Sequence, residues 1–133
     1  MFIMLRNAVA AAEDEANKIK TKKPLLIGVT VLTSKETTSS DVLTLAKIGI
    51  DCGLDGVVCS AREAPLLRKE INKDFVIVTP GIRPSGVSSN DQKRTATVEE
   101  AIESGSNFLV IGRPILEAKD PVSLAEKLVS VCS

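Results

Sequence analysis

Ile50-Asp-Cys-Gly-Leu-Asp-Gly-Val-Val-Cys-Ser60 reads as the end of a helix, a glycine, an acidic residue and a short apolar run. Ile102-Glu-Ser-Gly-Ser-Asn-Phe-Leu-Val-Ile-Gly112 repeats that order further along the chain. A glycine closes a helix well because it enters the left-handed region without steric cost. An unbroken apolar run of four residues just beyond it suits a strand covered on both faces. One such unit is weak evidence, but its recurrence points to alternating helices and strands.

Working outward, the rest of the chain falls into the same rhythm. Leu25–Leu32 is an apolar, β-branched run and reads as the first strand. Residues 41–52 read as a helix capped by Ser39, Ser40 or Asp41, and Gly56–Cys59 as the second strand. A helix over 62–71 tolerates Pro65 only in its first turn. Phe75–Val78 is the third strand. Thr97-Val-Glu-Glu100 is a capping box that opens a helix to Ser104, with Gly105 closing it. Phe108–Ile111 is the fourth strand, and Asp120-Pro121 opens a last helix to Val131. Residues 2–20 form a further, N-terminal helix with Leu5, Val9, Ala12, Ala16 and Ile19 on one face.

Strict alternation predicts an α/β fold with a parallel sheet and right-handed crossovers. An open doubly wound sheet and part of a (β/α)8 barrel both fit. No G-x-G-x-x-G follows a strand, so a dinucleotide fold lacks its fingerprint. Thr33-Ser34, Ser60, Thr79-Pro80-Gly81 and Gly112-Arg113 gather after the strands, where a barrel places its active site. Four strands make half of such a barrel.

Bulk properties narrow the function classes. The 133 residues suffice for one domain with a core. Lys+Arg and Asp+Glu both number 17, so no net charge draws the chain to nucleic acid or an acidic membrane. With three Phe and neither Tyr nor Trp, a stacking platform for single strands is not expected. Cys52, Cys59 and Cys132 form no C-x-x-C pair and there is no histidine, which argues against zinc. An odd cysteine number reads as reduced thiols in a cytoplasm. Met1–Leu5 is too short for a signal segment, and Pro24–Thr33 is about half a membrane span.

Gly112-Arg113 carries the sharpest chemical hint. A glycine lets a backbone N–H approach a ligand, and the arginine beside it adds a planar fork of donors, a pairing that suits phosphate. Pro80-Gly-Ile-Arg-Pro-Ser-Gly-Val-Ser-Ser-Asn-Asp-Gln-Lys-Arg94 is long enough to close over such a group. The plain alternative is a turn glycine and a surface charge. Asp55 reads as a turn residue at the opposite, non-catalytic end. Arg62 and Arg68 read as decoration of an exposed helix, and Arg83 and Lys93 as solvated charges.

Five segments resemble the orotidine 5′-phosphate decarboxylase family, in its order and spacing. They are Val29-Thr-Val-Leu-Thr-Ser34, Gly53-Leu-Asp-Gly-Val-Val-Cys-Ser-Ala61, Val78-Thr-Pro-Gly-Ile-Arg-Pro84, Asp91-Gln-Lys-Arg94 and Val110-Ile-Gly-Arg-Pro-Ile115. The likeness runs from about residue 4 to 131 and is strongest to bacterial members. It implies one partial domain over 1–133: the C-terminal half of a (β/α)8 TIM barrel, family strands 5–8, with an extra N-terminal helix and the N-terminal half absent. It also implies a cytoplasmic enzyme of pyrimidine biosynthesis that needs no metal or organic cofactor. By motif, Arg113 and the Gly112 amide match the phosphate grip, and Gln92 the residue joining phosphate to pyrimidine. Thr33 matches the reader of the pyrimidine edge, and Pro80 and Ile82 an apolar wall near the departing carboxylate. Asn90 stands where many relatives have glycine, a local departure.

The family's chemistry rests on a D-x-K-x-x-D-I motif at its third strand, with a lysine and an aspartate nearby. Asp91-Gln-Lys93 is not followed by that acidic-Ile pair and belongs to the phosphate loop. The resemblance therefore implies a chain that binds orotidine 5′-phosphate or UMP through phosphate and is inactive alone. Its implied partners are a second copy or a complementing N-terminal half, with no nucleic acid and no membrane. Two other readings stand beside it: a different phosphate-binding barrel enzyme, and a non-catalytic half-barrel that binds phosphate or self-associates.

Overall fold

The computed structural model describes residues 1–31, 38–84 and 95–132. Its elements are α1 (Phe2–Lys18), β1 (Ile27–Val29), α2 (Ser39–Asp51), β2 (Gly56–Val58), α3 (Ala64–Glu70), β3 (Val76–Thr79), α4 (Val98–Glu103), β4 (Phe108–Leu109), α5 (Arg113–Leu116) and α6 (Pro121–Val131). The strands form one parallel sheet in the order β1-β2-β3-β4. No later strand inserts between earlier ones, so the doubly wound alternative falls away and the half-barrel order stands.

Register puts Val29, Val58, Val78 and Phe108 side by side across the sheet. Side chains alternate along a strand, so Val57 and Ile77 point the other way. They enter a core with Val42, Ala46 and Ile50 of α2 and Leu67 of α3. A second core joins Ile82, Val98, Ala101 and Leu128, under α4 and α6. The helices thus cover one face of the sheet, as half a barrel requires.

Local chemistry explains the boundaries. The expected strand from Leu25 shortens to Ile27 because the Leu26 N–H donates to Asp55 Oδ2 at 2.8 Å instead of joining the ladder. α2 is capped by Thr38, one residue before the expected candidates. Its hydroxyl accepts from the Asp41 N–H while the Asp41 carboxylate accepts from the Thr38 N–H, a reciprocal capping box. The same box closes at Thr97 and Glu100 as the sequence predicts. Asp120 accepts from the Ser123 N–H ahead of Pro121. Gly105 stands at φ +95°, the left-handed exit anticipated for α4.

Arg68 is not surface decoration. From α3 it reaches the end of the sheet opposite Gly112. It donates through Nε and Nη2 to the Gly105 carbonyl, through Nη1 to the Phe75 carbonyl, and through Nη2 to Asn107 Oδ1. Its guanidinium also lies 4.6 Å from the Phe75 ring centroid. Asn107 Oδ1 in turn accepts from the Ile77 N–H, tying β3 to β4. Asp55 lies at this end too, as expected, and Lys23 Nζ donates to it at 2.6 Å.

Candidate functional site

The parallel ladder delivers every strand's C-terminal end to one edge. Beyond the assigned strands the Thr30 hydroxyl donates to the Val58 carbonyl, the Cys59 N–H to Val78, and the Val110 N–H to Thr79. The segments that follow, beginning near Ser60, Pro80 and Gly112, therefore share that edge. Of the expected site residues, Pro80, Ile82, Gly112 and Arg113 are described, whereas Thr33 and Gln92 lie outside the described residues.

Gly112 is exposed and caps the four-residue α5, accepting at its carbonyl from the Ile115 and Leu116 N–H groups. A Cβ built there would meet nothing within 4 Å, so the space above this backbone is open. Arg113 opens α5 on the exposed surface, and Pro114 behind it is buried. Pro80 is half-buried at the end of β3. Gly81 takes φ +78°, a conformation that favours glycine, and turns the chain so that Ile82 enters the core.

Ile82 is fully buried. It shares its cluster with Ile111 and Ile115, which bracket Gly112-Arg113. The loop after β3 and the turn after β4 are thus held against each other by packing. Ile82 and Ala96 form a parallel bridge, in which the Arg83 N–H donates to Ala96 and the Ala96 N–H to Gly81. Arg83 is half-buried and also donates from its guanidinium to the Ile82 carbonyl, so it is less solvated than expected.

One buried polar group at this edge escaped the sequence reading. The Glu63 carboxylate accepts from both the N–H and the hydroxyl of Ser60, and both residues are buried. The Ser60 carbonyl accepts in return from the Glu63 N–H. The signal was present as Ser60-Ala-Arg-Glu63, the same S-x-x-E spacing that marks a capping box. Burial pushes the neighbouring Cys59 thiol up to about 12, and the Glu63 charge adds to the effect.

A parallel half-barrel with helices on one face and its loops gathered at the strands' C-terminal ends defines a piece of the (β/α)8 class, whose sites lie there. The chain belongs to the orotidine 5′-phosphate decarboxylase / HUMPS family, whose model matches residues 2–128. It is 49% identical over 128 residues to the orotidine 5′-phosphate decarboxylase of Hydrogenovibrio crunogenus, covering 88% of this chain and 54% of that protein. The solved orotidine 5′-phosphate decarboxylase of Lactobacillus acidophilus is 36% identical with a TM-score of 0.68, covering 83% of this chain and 50% of that one. An uncharacterized conserved protein from Geobacillus kaustophilus is 27% identical with a TM-score of 0.74, covering 96% and 57%. The chain spans about half the length of these relatives.

Proposed function

We propose that this chain is the phosphate- and pyrimidine-binding half of an orotidine 5′-phosphate decarboxylase. That cytoplasmic enzyme would convert orotidine 5′-phosphate to UMP and CO2 without metal or organic cofactor. The observation that carries the reading is Gly112-Arg113 at the end of the last strand, packed through Ile111 and Ile115 against the Pro80–Ile82 loop, in a chain that matches the family over residues 2–128. Arg113 and the Gly112 amide hold the phosphate, and Gln92 bridges it to the base. Thr33 reads the pyrimidine edge. Pro80 forms the apolar wall, with Ile82 backing it from the core.

Losing CO2 from the pyrimidine leaves a carbanion, which needs a fixed positive charge beside it and a proton donor. Those charges belong to the D-x-K-x-x-D-I motif, which this sequence lacks. Phosphate binding energy used for closure accelerates nothing when the reacting centre is empty, so the chain alone is inactive.

UMP titrated into the wild type and Arg113→Ala tests the grip. The variant should bind about 10- to 150-fold more weakly, the scale of about 1.5–3 kcal/mol for charge-assisted hydrogen bonds. Equal affinity overturns the phosphate assignment. Loss of orotidine 5′-phosphate absorbance with the purified chain, free of host enzyme, overturns the inactivity.

A further inference from the structure

Glu63 is a buried acid at the end of the sheet where a phosphate would bind, and its charge has the wrong sign for that ligand. It is 4% exposed, and Ser60, which it holds, 3%. A carboxylate leaves water at a cost that only good donors offset. Here the Ser60 N–H and hydroxyl both donate to it. The Ser60 carbonyl accepts in turn from the Glu63 and Ala64 N–H groups, so the bend is tied in both directions. Starting a helix does not require this burial. The boxes at Thr38–Asp41 and Thr97–Glu100 start α2 and α4 with reciprocal bonds on the exposed surface.

The position of the bend shows what the lock holds. Val58 pairs with Val78, and the Cys59 N–H carries that ladder one residue further. Thr79 pairs with Leu109, and the Val110 N–H does the same there. Both registers, continued, bring Ser60 level with Pro80 and Val110. Ala61, the next residue, packs against the cluster of Ile82, Val98, Ala101 and Leu128. Ile111 and Ile115 pack against that cluster too, on either side of Gly112-Arg113. The bend after β2, the turn after β3 and the corner after β4 therefore lean on one body of side chains. Close-packed side chains pass a displacement on to their neighbours.

We infer that Glu63 is a positioning residue for the phosphate grip. It fixes Ser60, Ser60 sets the path of Ala61, and Ala61 presses on the cluster that seats both the Pro80–Ile82 turn and the Gly112-Arg113 corner. Glu63 touches no ligand and acts only through that packing. Donors held a fraction of an ångström out of place lose much of what they contribute to binding. The inference rests on the phosphate reading for its ligand, while the packing that carries it lies within this chain.

Native-state hydrogen exchange on the full chain, read by NMR without nucleotide, tests the packing. The probes are the Ala96 N–H, bonded to the Gly81 carbonyl, and the Val110 N–H, bonded to Thr79. The Asp55 N–H, bonded to Leu26 at the opposite end of the sheet, is the control. Glu63→Ala should speed exchange at both probes about tenfold and leave the control within about twofold. Glu63→Gln, whose side-chain oxygen still accepts from Ser60, should recover most of the protection. Should Glu63→Ala fail to fold, Ser60→Ala, which removes the hydroxyl alone, should show about a threefold effect at the same probes. Faster exchange confined to the Leu67 N–H, which donates to the Glu63 carbonyl, would reduce the pair to a helix start and overturn the inference. So would a Glu63→Gln chain as loose as Glu63→Ala. UMP titration then reads the grip itself, with Glu63→Ala binding about tenfold more weakly and Glu63→Gln near wild type. Unchanged affinity in folded Glu63→Ala, beside a wild type that binds, also overturns it. A wild type that binds no UMP refutes the phosphate reading instead, and hydrogen exchange still judges the packing.

Discussion

Arg68 donates twice to the Gly105 carbonyl, through Nε at 3.0 Å and Nη2 at 2.7 Å. A glycine at φ +95° exposes its carbonyl at the exit of α4, and the fork of α3 closes on it. The same guanidinium holds the Phe75 carbonyl at 2.8 Å, so one side chain ties together the approaches to β3 and β4. Only a planar, multiply donating cation spans these acceptors. Arg68→Lys should therefore cost about 2–3 kcal/mol, from lost charge-assisted bonds and stranded carbonyls. Urea unfolding checks it, and a loss under about 0.5 kcal/mol would refute the clamp.

Gly56 predicts a steric failure at the centre of the sheet. A Cβ built on it would stand 2.3 Å from the Val76 carbonyl oxygen and 2.8 Å from Val76 Cβ. The nearest obstacle is backbone, which moves only if β2 and β3 separate. Gly56→Ala should destabilise the chain by about 3 kcal/mol or more, in a thermal melt. Gly28→Ala offers a contrast, because its nearest obstacle is the far end of the Leu54 side chain. It should cost less.

The thiols should separate in reactivity. Cys132 is exposed, whereas Cys52 and Cys59 are buried. At neutral pH a thiol pushed up to about 12 holds roughly a thousandfold less thiolate than an ordinary one. Counting with a chromogenic disulfide should find one fast thiol in the native chain and three in denaturant. Fast labelling of Cys59, located by mass spectrometry, would contradict the burial.

Asp55 should stabilise the fold in a pH-dependent way. The Leu26 N–H and then Lys23 hold its carboxyl below the ordinary value of 3.8. A depressed folded pKa contributes stability that is fully present above the unfolded value and lost as pH falls through the folded one. Asp55→Asn should thus be less stable than wild type by a constant margin above about pH 5, and the margin should shrink below about pH 4. Urea midpoints across pH 2.5–7 measure it. A pH-independent margin would assign the effect to packing instead.

How much of this was legible depended on the distance over which each residue acts. The strands and the caps at Thr97 and Asp120 followed from patterns within a few residues, whereas the sheet order, for which two architectures fitted, needed the pairing of strands far apart in sequence. Ser60–Glu63 was equally local, an S-x-x-E spacing just ahead of and overlapping the helix expected over 62–71. The shortening of β1 was not legible, since Asp55 captures the Leu26 N–H across 29 residues of sequence. Nor was Arg68, whose main acceptor is 37 residues away. Ile82 was legible as apolar, but its burial under α4 and α6 required the turn at Gly81 to be seen.

The parallel bridge between Ile82 and Ala96 sets the ends of the intervening stretch beside each other. Closing a loop on a fixed pair of ends costs only about 0.6 kcal/mol for each doubling of its length. Residues can therefore be added between those anchors at little expense to the rest of the fold. A short glycine-serine insertion after Gly86 should leave the melting behaviour nearly intact, which a thermal melt checks.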